Sequence, residues 1–112
     1  MSLLAYALKT AQAFDRAKAN YALVGGLACI LFGVRRMTED ADFIVDVDSL
    51  ELAKVIFQEL KKEGFDISFK EVSTSYKERS YFTILVEQYR VDIKLASSKL
   101  DFETLNRAVE VV

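Results

Sequence analysis

Histidine and proline are absent from the 112 residues, cysteine occurs once and glycine four times. A chain without histidine has no Ser-His or Cys-His catalytic pair, lacks the commonest general base, and cannot build a Cys/His zinc set. Cys29 has no partner for an internal disulfide and reads as a small buried residue on a helix. Any catalysis therefore falls to carboxylates and metal ions. Apolar residues make up 52% of the chain and the mean hydropathy is +0.14, which favours a packed globule over a disordered segment. Charges interrupt the apolar runs too often for a membrane span of about 20 residues. The N-terminus lacks a basic start and a small-residue cleavage site, so a soluble cytoplasmic protein with no membrane partner is expected. A net charge of -2 gives no global attraction to nucleic acid, although a local basic patch is compatible with it. The length suits one domain with a single core.

What the sequence does contain is a concentrated signal from Leu23 to Asp48, LVGGLACILFGVRRMTEDADFIVDVD. Asp40 and Asp42 are spaced i, i+2 and point the same way if the segment is a strand. Two like charges about 4 Å apart repel by roughly 4 kcal/mol at an effective dielectric near 20, so such a pair calls for a cation or a shared proton. The paired Gly25 and Gly26, entering a helix, offer exposed amides to an anion. Metal and phosphate together suggest nucleotide chemistry.

The rest of the pattern predicts an α+β (mixed α/β) fold. Residues 3–19 read as an amphipathic helix capped by Ser2, with Leu4, Ala7, Leu8, Ala11 and Phe14 on its apolar stripe. Tyr21 to Val24 reads as a short buried strand. Residues 27–33 form a helix stopped by Gly33, and Asp40 to Val47 is the next strand. Asp48 opens a helix, with Glu51 three positions on, that ends at Gly64. Asp66 to Val72, Tyr81 to Glu87 and Arg90 to Ala96 read as three strands, the last two a hairpin. The polar run Ser73 to Ser80 reads as a solvated loop, or as the border of an acceptor site. Asp101 caps a final helix through Ala108. This order implies a mixed or largely antiparallel sheet, with helices on one face and the acidic residues on the other.

Strand parity then directs the charges. If Ala41, Phe43 and Val45, with Val91, Ile93 and Leu95, point into the core, then Asp40, Asp42, Arg90, Asp92 and Lys94 share the open face. Three carboxylates converge there. From spacing alone, Asp92 is equally an ion-pair partner of its strand neighbours, and Asp40 and Asp42 a solvated strand end. Asp46 has the same parity but reads better as a strand-end charge.

Val24-Gly25-Gly26, a spacer, and Asp40-Ala41-Asp42-Phe43 together resemble the signature of the nucleotidyltransferases of the DNA polymerase beta superfamily. The run Arg36-Met37-Thr38-Glu39-Asp40-Ala41-Asp42 resembles the Arg-x-Thr-x-Asp-x-Asp element of small prokaryotic members, including toxin-like ones related to the AbiEii group. Tyr89-Arg90-Val91-Asp92-Ile93 is similar to the later strand that brings the third carboxylate. The resemblance runs from Tyr21 to the C-terminus. It implies transfer of a nucleoside monophosphate from a nucleoside triphosphate, ATP among them, to an acceptor hydroxyl, with release of pyrophosphate. Asp40, Asp42 and Asp92 would be catalytic ligands of two magnesium ions, manganese being an alternative. Gly25 and Gly26 would approach the triphosphate, with Arg36, Thr38 and Lys94 as further nucleotide contacts. Arg36 reads equally as a surface arginine, and Lys94 as a charge that eases carboxylate repulsion.

The chain departs from the pattern in two places. Many relatives carry serine where Gly26 stands. Similar proteins also continue beyond Val112 into a strand and helices that often serve acceptor binding, so the chain reads as a minimal member or as a fragment lacking a C-terminal extension. An apolar strand from Val109 to Val112 at an exposed edge would favour a homodimer or a partner protein. The acceptor stays open among tRNA, protein and small molecule. A degenerate module that binds nucleotide or nucleic acid without transfer is the alternative. An Asp-x-Asp glycosyltransferase fits poorly, since such domains are longer and give the Gly-Gly element no role.

Overall fold

The computed structural model describes residues 1–31 and 39–107. Its elements are α1 (Leu3–Ala17), β1 (Tyr21–Val24), α2 (Gly25–Leu31), β2 (Asp40–Val45), α3 (Leu50–Lys62), α4 (Phe69–Glu78), β3 (Tyr81–Val86), β4 (Tyr89–Leu95) and α5 (Lys99–Asn106). The four strands form one mixed sheet in the order β1-β2-β4-β3. The central pair β2/β4 is parallel, and the outer pairs β1/β2 and β3/β4 are antiparallel. The predicted α+β class is what the chain adopts. Among the described residues, no helix is long and apolar enough to cross a membrane. Gly33, Arg36, Thr38 and the strand expected at Val109–Val112 lie outside the described residues, as does the burial expected for Cys29.

One face of the sheet carries the main core. Phe43 and Val45 of β2, Val91, Ile93 and Leu95 of β4, and Phe82 and Ile84 of β3 pack under Phe14 of α1, Ile56 and Leu60 of α3, and Val72 of α4. The parity read from sequence holds, since burial alternates residue by residue along β2. A smaller cluster lies on the other face, where Leu105 of α5 packs with Ala22, Ala96 and Ile44. On that face α5 packs beside Ile44, while Asp42 and Asp92 stand partly exposed farther along the strands.

Several expectations give way to better local chemistry. The strand expected at Asp66–Val72 is a loop followed by α4. Phe65 and Ile67 are buried at alternate positions, which imitates a strand. The Ser68 side chain, however, accepts a hydrogen bond from the Glu71 amide and starts a helix there. Phe69 then packs edge-on against Phe57 of α3, with ring centroids 5.5 Å apart. The Ser73–Ser80 run is accordingly no loop, because Ser73 to Glu78 belong to α4. Ser49 rather than Asp48 caps α3, accepting from the Leu52 amide.

The remaining differences lie at helix ends and on α1. Helix α5 is capped by Ser98, and Asp101 is the third residue of the reciprocal capping box. Lys18 takes a left-handed conformation that ends α1 two residues early. The buried stripe of α1 is also rotated from the one expected. Leu3, Tyr6, Ala7, Thr10, Ala13, Phe14 and Ala17 face the core, while Leu4 and Leu8 are exposed. Thr10 is tolerated inside because its hydroxyl donates to the Tyr6 carbonyl at 2.9 Å.

Candidate active site

The parallel register pairs Asp42 of β2 directly with Asp92 of β4, and Asp40 with Arg90. Two carboxylates on neighbouring strands at the same level and on the same face are forced together by the sheet itself. Burial pushes the Asp42 carboxyl above the ordinary carboxylate range, and the charges of Asp92 and then Asp40 push it further, with Arg90 opposing.

Asp92 is held from its other side. Its Oδ1 accepts from the Thr83 hydroxyl at 2.6 Å and from the Arg90 guanidinium at 3.1 Å. The row across the open face therefore reads Val24, Asp42, Asp92, Thr83, one residue from each strand. Thr83 escaped the sequence reading. Its parity places it on the open face, but pairing it with Asp92 requires the hairpin register, and the connecting Glu87-Gln88 carries no Asn-Gly or Asp-Gly signal.

Gly25 completes the enclosure of Asp42. Its φ is +76°, a left-handed conformation that side chains avoid, and a Cβ built on it would lie 2.5 Å from Oδ2 of Asp42. The carboxylate occupies the space that a side chain at position 25 would need. Gly25→Ala is expected to cost about 1–2 kcal/mol from the left-handed backbone alone and to displace Asp42. Urea unfolding measures the first effect, and an unchanged midpoint would contradict this geometry. Gly26 follows within α2.

Lys94 lies on the same face but is engaged, with Nζ 3.1 Å from Oδ1 of Asp101. Asp101 is only 4% exposed. Burial raises its carboxyl, but the Ser97 amide, Lys94 and the Ser98 amide more than offset this and hold it below the usual range. Lys94 thus ties β4 to the start of α5.

The acidic residues suit a hard divalent cation in kind, being acceptor-only oxygen ligands, and the charges of Asp92 and Asp40 help raise the proton affinity of Asp42. Asp42 and Asp92 form the nucleus of such a site, and Asp40 stands two residues away on the same face. Among the described residues, no three acidic, histidine or cysteine side chains form a ready-made metal-binding group. The triad is one of shared face and register rather than a closed ligand shell.

No protein-family profile matches the chain, and no curated protein sequence matches it. Solved structures do. A crystal structure of a protein from Bacillus halodurans aligns over 96% of this chain and 99% of its own, with 15% identity and a TM-score of 0.54. A tRNA-processing enzyme in an apo form aligns over 90% of this chain at 18% identity and a TM-score of 0.50. A tRNA nucleotidyltransferase complexed with a primer tRNA and an incoming ATP analogue aligns over 79% of this chain, with 19% identity and a TM-score of 0.47. This chain spans 26% of the tRNA-processing enzyme and 23% of the tRNA nucleotidyltransferase. The likeness to the Bacillus halodurans protein and to the tRNA-processing enzyme is one of fold.

Proposed function

We propose that the chain is a metal-dependent nucleotidyltransferase that moves a nucleoside monophosphate from a nucleoside triphosphate to an acceptor hydroxyl. The observation that carries this reading is the β2/β4 register, which sets Asp42 beside Asp92 with Gly25 closed against the Asp42 carboxylate. Asp40, Asp42 and Asp92 would hold magnesium or manganese. When bound, such ions neutralise the triphosphate and lower the pKa of the attacking hydroxyl. Asp42, central in the row, faces both neighbouring carboxylates, and Asp92, on the β3 side, would orient the acceptor. Gly25 and Gly26 would approach the phosphates through their backbone amides, the side-chain space at Gly25 being taken by the Asp42 carboxylate. Lys94 would reach a phosphate only by releasing Asp101, which makes it the weaker of the contacts suggested by the resemblance. The narrower toxin-like assignment rests on the run from Arg36 to Asp42, of which Arg36 and Thr38 lie outside the described residues.

Incubating the chain with each labelled triphosphate, magnesium and a cell extract, and identifying the labelled product, tests the activity and separates tRNA, protein and small-molecule acceptors. Asp92→Asn is expected to lower pyrophosphate release roughly 10²–10³-fold, the scale for loss of a principal electrostatic group. Circular dichroism should show an unchanged fold. Among the described residues no three carboxylates form a closed group, which favours the second reading, a module that binds nucleotide without transfer. Equal nucleotide binding by wild type and Asp92→Asn, with no pyrophosphate from either, would establish that reading.

A further inference from the structure

Thr83 stands on β3, one of the two outer strands of the sheet, and its hydroxyl meets the acidic site at Asp92. Its hydroxyl donates to Oδ1 at 2.6 Å, within the short range of a hydrogen bond to an ionised acceptor. The backbone accounts for this close approach. Leu95 donates its amide to the Ser80 carbonyl, so the bonded pairs of this ladder fall at 80/95, 82/93 and 84/91. Thr83 and Asp92 therefore form a non-bonded pair, the kind whose side chains lie closer together. A β-branched side chain in a strand has few rotamers, so the hydroxyl is aimed with little freedom to lose.

Packing does not require a polar residue there. Tyr81 and Leu85, which flank Thr83 on the same face, are 63% and 71% exposed. The second donor to Oδ1, Arg90, lies farther away at 3.1 Å on a half-exposed side chain, where solvent weakens its hold. We propose that Thr83 is a positioning residue for the acidic site, fixing the rotation of the Asp92 carboxylate beside Asp42 so that it can serve as a ligand. This role rests on the metal-dependent reading above. It assigns to β3 a part in the site that the carboxylate motifs do not reveal.

The test uses manganese alone, titrated into the metal-free chain and followed by electron paramagnetic resonance, with no nucleotide present. Thr83→Val keeps the shape and removes the donor, and Thr83→Ser keeps the donor. Valine is expected to weaken manganese binding about tenfold, the lower end of what outer-shell partners contribute. Serine is expected to restore most of the affinity, with thermal midpoints similar across all three proteins. Wild-type affinity in Thr83→Val would overturn the positioning role. So would a loss that serine does not repair, since the role would then be structural. Asp42→Asn, run in parallel, separates this proposal from the metal reading. If wild type binds manganese and Asp42→Asn does not, an unaffected Thr83→Val overturns the positioning role alone. If wild type itself does not bind manganese, both are overturned.

Discussion

Asp42→Asn is expected to abolish transfer and, in the absence of divalent metal, to raise the melting temperature. The first effect follows from the central place of Asp42 between Asp40 and Asp92 and should be at least roughly 10²–10³-fold. The second follows from the direction in which its carboxyl is shifted. Burial and then the charges of Asp92 and Asp40 raise the folded-state pKa above the unfolded value, so the folded chain holds this proton more tightly than the unfolded chain does. As pH rises from the ordinary aspartate value through the raised one, stability falls, and above the raised value the whole loss is present. Asparagine removes it. Solvent screening of this partly exposed group keeps the gain small, so the expected result is a modest rise in melting temperature. The difference between the two proteins should vanish at acidic pH and shrink when magnesium is added. Equal melting temperatures at neutral pH without metal would mean that the carboxylates do not repel as their register requires.

The acidic site was unusually open to sequence reasoning because strand parity is binary. Once Val91, Ile93 and Leu95 are assigned to the core, Asp92 has one remaining face, and the same holds for Asp40 and Asp42. Parity carries no information about which strands are neighbours. The β2/β4 pairing that brings Asp42 to Asp92 spans half the chain, and the β3/β4 register that brings Thr83 to Asp92 depends on a turn with no diagnostic residues. The misread segment from Asp66 to Val72 failed for another reason. Phe65, Ile67 and Phe69 alternate like a strand although the first two belong to a buried loop, and a single serine hydroxyl decides where the helix begins. Capping residues were displaced by one position at α3, Ser49 for Asp48, and by three at α5, where Ser98 is the cap and Asp101 its reciprocal partner in the capping box. The role of Lys94 depended on its distance to Asp101, which no spacing rule supplies.

The largest loss of stability is expected at Phe14, on the face of the sheet opposite the carboxylates. Phe14 is fully buried, and its ring meets Phe43 edge-on with centroids 5.6 Å apart and tilts against Tyr21 at 5.3 Å. Phe43 sits between Asp42 and Ile44 on β2, and Tyr21 belongs to β1, so this one ring clamps α1 to β1 and to β2, the strand that carries Asp40 and Asp42. Phe14→Ala removes the ring and leaves a cavity beneath β2, at an expected cost of about 3–5 kcal/mol. For a domain whose total stability is about 5–15 kcal/mol, that is a large fraction, and the melting temperature should fall by roughly 10–30 °C. Phe14→Leu keeps most of the volume and loses the edge-on ring contact, so about 1–1.5 kcal/mol is expected there. Denaturant unfolding of both variants measures these costs, and a Phe14→Ala protein within 1 kcal/mol of wild type by that measurement would show that α1 does not dock on β1 and β2. Because the damage lies behind the sheet, transfer by Phe14→Ala should be close to wild type well below its melting temperature and disappear on warming with the folded fraction. Asp42→Asn, by contrast, is expected to be inactive at every temperature at which it is folded.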